Sequence, residues 1–216
     1  TEESGEGAAA PAASPSTPGS DAGPAATEPA AAKPKTLNDA FYETLKDVYY
    51  AEKQSVRALK KSAKAAEIAE LKQAFETHAE ESQGQVERLQ QVFEILGKPA
   101  RAKTCEAMQG LGSEMEEDLD DFGDSPAADA VLIGCAQAIE HYEIARYGTL
   151  KTWAGHLGLD EAVSLLDQTL QEEKKTDELL TQLAEQANRQ GNDGEGDDEA
   201  EEAPAKGGGK GRKRAA

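Results

Sequence analysis

Between residues 36 and 190 the large apolar side chains return every three or four positions, in four stretches of roughly seven helical turns each. A period near 3.6 lays an apolar stripe along one face of a helix, and no stretch alternates with the period of two that a half-buried strand requires. The first stretch, about 37 to 63, carries Leu37, Phe41, Leu45, Val48, Glu52, Val56 and Leu59. Thr36 followed by Asp39 predicts a capping box at its start. The second, about 67 to 96, carries Leu71, Phe75, His78, Gln85, Leu89, Phe93 and Leu96, and Gly97 with Pro99 marks its end. The third, about 126 to 155, opens on Pro126 after Ser125 and carries Ile139, Glu143, Arg146, Leu150 and Trp153. The fourth, about 159 to 189, carries Val163, Leu166, Leu170, Glu173, Asp177, Leu180 and Ala184. Aromatics make up only 5 % of the chain, which further disfavours a sandwich or barrel.

The connections set the topology. A few residues near Lys64 to Glu67 join the first two helices, and His156 to Asp160 join the last two, so each pair forms an antiparallel hairpin. Some thirty residues, 97 to 125, separate the hairpins, with a short helix expected in CEAMQGLGSEMEEDLDDF. Hairpin, long crossover, hairpin is the connectivity of a ferritin-like bundle, so the expected fold is an all-α antiparallel four-helix bundle with a short extra helix in the crossover.

Residues 1 to 35 contain no large apolar side chain, and 191 to 216 are an acidic block followed by the basic PAKGGGKGRKRAA; both are expected to be disordered tails around a 36–190 domain. Of the chain's formal charge of −19, the tails carry −3 and −2, which leaves −14 on the domain. Such acidity argues against a nucleic-acid-binding body, leaving only the basic C-terminal tail for such contact. No apolar run is long enough to span a bilayer and no secretory leader opens the chain, so a cytoplasmic protein is expected. Cys105 and Cys135 are too few for a disulfide framework.

Each stripe is interrupted or bordered by a glutamate. Glu52 lies between Val48 and Val56, Glu143 between Ile139 and Arg146, and Glu173 between Leu170 and Asp177. Glu81 shares a face with His78 and Gln85. The positions also repeat: Glu81 follows Glu52 by 29 residues and Glu173 follows Glu143 by 30, as if one hairpin had been used twice. Carboxylates converging in a core repel one another and lose hydration, and two divalent cations would cancel four of them. The plainer alternatives are solvated acids, since about a fifth of the domain is acidic, or pairing with Arg146. The metal reading takes Glu52, Glu81, Glu143 and Glu173 as ligands, with Gln85 and Asp177 completing the shell and His78 as a further candidate. A donor set this rich in oxygen suits Fe or Mn.

The segments FYETLKDVYYAEKQSVRAL, HAEESQGQVERLQQVFEILGKPA, KTCEAMQGL, IEHYEIARYGTLKTWA and LLDQTLQEEKKTDELLTQLAE together resemble the YciE/YciF family of bacterial ferritin-like proteins, over nearly all of 37 to 189. The resemblance implies a five-helix ferritin-like fold, a homodimer, a binuclear metal site and a link to bacterial stress responses. It implies no settled activity. The Glu-x-x-His pairs usual in ferritin-like sites are missing here, because Gly84 follows Glu81 and Thr176 follows Glu173 at that spacing.

Smaller features carry plain expectations. Tyr49, Tyr50, Tyr142 and Tyr147 should pack with tethered hydroxyls, and Cys105 should be structural. His141 should face a partner helix or solvent, and Gly84 should mark a close backbone approach or a bulge. The sequence leaves three readings of function open. The first is redox chemistry at Fe or Mn with a small-molecule oxidant such as peroxide; the second is a non-catalytic dimeric stress scaffold; the third is a storage protein with DNA on the basic tail.

Overall fold

The computed structural model describes residues 34–193, so the expected tails lie outside the described residues apart from their inner edges. Five helices follow one another: α1 (Leu37–Ala65), α2 (Ala69–Ile95), α3 (Glu106–Phe122), α4 (Ala128–His156) and α5 (Asp160–Asp193). No strand occurs among the described residues. The capping box at Thr36 forms as expected, with Thr36 N donating to Asp39 Oδ2 at 2.8 Å and Asp39 N to Thr36 Oγ1 at 3.3 Å. Gly97 and Gly158 take positive φ of 62° and 71°, which lets the chain reverse after α2 and α4. Lys98 N bonds back to Phe93 O, and Leu159 N to Ala154 O, at 3.0 Å each. Pro126 lies in a turn rather than in the helix, so α4 begins two residues later than expected; α5 continues past the expected boundary at 190.

α1 with α2 and α4 with α5 form the two hairpins, which pack through α1 against α4 and α2 against α5. Phe41 and Leu45 of α1 share an apolar cluster with Leu150 and Ala154 of α4, so these two helices run antiparallel. The crossover must therefore climb the length of the bundle. α3 makes the climb, at 17 residues or roughly 25 Å. It lies along α4, with Cys105 beside Tyr142 and Asp118 beside Cys135. Cys105 has the structural place expected of it: its Sγ accepts from Met108 N at 3.5 Å at the start of α3 and lies 2.9 Å from the Tyr142 hydroxyl.

The second hairpin also finishes the first. α2 has no side chain of its own to cap its start. Asp129 of α4 supplies one, accepting from Glu67 N at 3.0 Å and Ile68 N at 2.7 Å. A carboxylate at a helix N-terminus is further favoured by the helix dipole.

Two apolar clusters occupy the ends of the bundle. One gathers Phe41, Leu45, Phe93, Tyr147 and Leu166; the other gathers Leu59, Leu71, Phe75, Ile133 and Leu180. Between them, at mid-helix on all four long helices, lies a layer that is neither apolar nor exposed.

Candidate metal centre

The middle layer holds Glu52 of α1, His78 of α2, Glu140 and Glu143 of α4, and Glu173 of α5, none more than 2 % exposed. They form two groups, His78 with Glu140 and Glu173, and Glu52 with Glu143 and Glu173. Within each group one ligand atom per residue lies within 4.8 Å of the others, and Glu173 belongs to both. His78 Nε2 stands 3.1 Å from Glu140 Oε1 and 3.3 Å from Glu173 Oε2. On the other side of the ring, Nδ1 is 3.1 Å from Thr176 Oγ1 and 3.5 Å from Glu81 Oε2. Tyr147 donates to Glu52 Oε1 at 2.6 Å.

Several inward-facing atoms find no hydrogen-bond partner among the described residues: Glu52 Oε2, Glu140 Oε2, Glu173 Oε1 and both oxygens of Glu143. Buried polar atoms are nearly always satisfied, so this many orphans in one layer call for a partner such as a cation. Without one, protons must do the neutralising. Burial pushes the Glu140 carboxyl up to about 8. Burial, together with neighbouring carboxylates, raises Glu52 and Glu143 well above the ordinary range. Burial alone would lower the His78 imidazole, but Glu140 and Glu173 outweigh it and raise His78. Burial also keeps the Tyr147 phenol protonated, as a donor.

The structure brings Glu52, Glu143, Glu173 and His78 together, and adds Glu140, which the sequence reading passed over. The inward stripe of α4 is Ile133, Ala136, Glu140, Glu143, Tyr147, Leu150 and Ala154, all buried. Ile139, which the spacing puts on that stripe, packs instead with Cys105, Met108 and Met115. The i, i+3 pair Glu140 and Glu143 was the available signal.

Glu81 is set outside the layer. Its side chain is 32 % exposed and touches the far edge of the His78 ring. Asp177 stays away as well: it accepts from Gln137 Nε2 at 3.1 Å and contacts His141 Nε2 at 3.1 Å. The reason is rotation. Three residues beyond Glu173, Thr176 turns toward α2 and His78, whereas Asp177, a further 100° round, turns toward the outer edge of α4. Gln85 is fully buried, with its amide nitrogen on Glu172 Oε2 at 3.2 Å and its Oε1 unpartnered. Arg146 lies over the Tyr142 ring at 5.2 Å instead of pairing with the core acids. Gly84 sits in unbroken α-helix, and a Cβ there would meet nothing nearer than the Arg88 guanidinium at 4.0 Å, so it marks neither a bulge nor a close approach.

Residues 36–192 match the family described as a domain of unknown function, DUF892. Protein YciF of Escherichia coli strain K12 is 49 % identical over 152 residues, covering 69 % of this chain and 91 % of that protein. The chain belongs to the YciE/YciF family. Among solved structures, the E. coli stress protein YciF superposes with a TM-score of 0.69 at 46 % identity, covering 72 % of this chain and 98 % of that one. YcfI from Rhodopseudomonas palustris, described provisionally as a structural protein, superposes with a TM-score of 0.67 at 43 % identity, covering 68 % and 94 %. The all-α architecture seen here is therefore that of its YciE/YciF relatives. No helix among the described residues is long and apolar enough to cross a membrane.

Proposed function

We propose that this protein is a dimetal stress protein of the cytoplasm, a homodimer whose core holds two Fe or Mn ions and consumes a small oxidant such as peroxide. The observation that carries the reading is Glu173, buried and common to both ligand groups, with Oε1 unpartnered among the described residues and Oε2 met only by the His78 ring at 3.3 Å. One ion would take His78, Glu140 and Glu173; the other would take Glu52, Glu143 and Glu173. Four carboxylates match the charge of two divalent ions, and one imidazole among oxygens suits Fe or Mn. A pair of such ions held by these residues would supply two-electron redox chemistry, enough to reduce hydrogen peroxide with two protons to two molecules of water, with an external two-electron donor restoring the pair.

The chain's own residues do the rest. Thr176 Oγ1, 3.1 Å from Nδ1, holds the outer edge of His78, so a proton on Nδ1 leaves the Nε2 lone pair facing the space between the carboxylates. Tyr147 fixes the direction of the Glu52 carboxylate and keeps its own proton. The apolar clusters above and below exclude bulk water, which strengthens every charge interaction in the layer.

Metal content per chain, measured on protein purified without chelator, tests the reading. About two ions per chain are expected, together with a rise in melting temperature on reloading and loss of both in Glu173→Ala. Well under one ion per chain, with no effect of added Fe or Mn on stability, would overturn it.

A second reading is a dimeric scaffold in which the ions serve stability alone, and the description given to the R. palustris relative favours it. Metal-dependent stability without peroxide turnover would select it.

A further inference from the structure

A buried layer that takes up ions needs a way in, and two clefts approach this one from opposite sides. The first, about 410 Å³ between α2 and α5, reaches His78, Thr176 and Glu81, with Thr77 on its wall. Its charged side chains are Glu70 and Glu81 against Lys175, apart from His78 itself. The His78 ring closes its inner end. One edge touches the cleft residues Thr176 and Glu81, and the other touches Glu140 and Glu173 of the layer.

The second cleft, about 380 Å³ between α1 and α3, carries Arg57 and Lys61, and its one carboxylate, Glu116, is already paired with Lys61 at 3.3 Å. It shares Ala58, Met115 and Ile139 with a void of about 10 Å³ beside Glu140. A void of that size holds about one water molecule and no hydrated ion. Charge and width therefore both favour the α2–α5 side for a cation.

We propose that the α2–α5 cleft is the port for divalent cations, with Glu81 as the capture ligand on its floor and His78 as the swinging partition that passes the ion to Glu173. This rests on the metal reading above and gives Glu81 a task other than resident ligand. The transfer is short, since Glu81 and the two carboxylates of the layer lie on opposite edges of one imidazole. Rotamer changes of a single side chain open it.

The test uses the metal-free full chain, rapid mixing with Co(II), and visible absorption to follow uptake. Thr77→Trp narrows the cleft at an exposed position, Glu81→Gln removes the capture charge, and Ser113→Trp obstructs the other cleft. Thr77→Trp and Glu81→Gln should each slow uptake about tenfold or more while final Co(II) per chain stays at the wild-type value. Ser113→Trp should leave the rate unchanged. Wild-type rates in both Thr77→Trp and Glu81→Gln overturn the port alone, as does a fall in final Co(II) in Glu81→Gln, which would make Glu81 a resident ligand. Failure of the wild type itself to take up Co(II) overturns the metal reading and the port with it.

Discussion

Tyr147 donates a 2.6 Å hydrogen bond to Glu52 Oε1 at a depth where neither side chain meets solvent. The other oxygen of Glu52 has no partner among the described residues, so there this phenol is the carboxyl's one hydrogen bond. Tyr147→Phe keeps the ring and removes the bond. Metal-free protein should lose about 1–2 kcal/mol in urea unfolding, the cost of a buried polar group left unsatisfied. An unchanged midpoint would reduce Tyr147 to packing.

Stability should depend on pH in opposite directions with and without metal. Burial raises the Glu140 carboxyl from 4.5 to about 8, and Glu52 and Glu143 move the same way. The folded state therefore holds more protons than the unfolded chain across that interval. This contribution is complete below about pH 4.5 and is lost as pH climbs through about 8. His78, raised as well, adds to the loss on the alkaline side. Protons compete with ions for the same carboxylates, so the loaded protein should run the other way. Melting temperatures at about pH 5.5 and about pH 8, with chelator and with Mn(II), should cross; parallel trends would show that these carboxyls do not bind the ions.

Glu140→Gln and Asp177→Ala separate the residue that geometry adds from the one it sets aside. Glu140→Gln removes a carboxylate from the group containing His78 and should lower bound metal by about one ion per chain. Asp177→Ala removes only contacts with Gln137 and His141 at the surface. Elemental analysis should find its metal content unchanged.

Gly84→Ala should stabilise the protein. Gly84 lies in the middle of α2 and an added Cβ touches nothing closer than the Arg88 tip at 4.0 Å. The helix gains about 1 kcal/mol by losing a glycine, readable as a rise in denaturation midpoint. A destabilised variant would reveal a need for flexibility that the packing does not show.

The bundle was legible because its evidence is periodic: a stripe every 3.6 residues, a capping box at Thr36, a glycine after Leu96, and a crossover too long for an up-down turn. Glu52, Glu143 and Glu173 were legible for the same reason, as breaks in a pattern. What escaped was angular. Sequence spacing gives a side chain's bearing on its own helix but not the direction of the neighbours, so Asp177 and Glu81 looked equivalent to residues that point inward. Glu140 was hidden behind Ile139, whose apolar side chain serves the α3 contact and not the bundle axis. The repeat between hairpins also misled, since Glu81 and Glu173 match in sequence but only Glu173 is drawn in, opposite a histidine that takes the inward place on α2.

Asp129 reaches back across the fold to the first residues of α2, and that contact bears on the order in which the molecule can be completed. A chain made from its N-terminus presents α1 and α2 well before Asp129 exists. Until α4 arrives, the amides of Glu67 and Ile68 have no carboxylate to hold them and the opening turn of α2 is free to fray. The halves of this bundle are thus not two finished hairpins that dock: the start of α2 in the first gains its capping carboxylate only from Asp129 in the second.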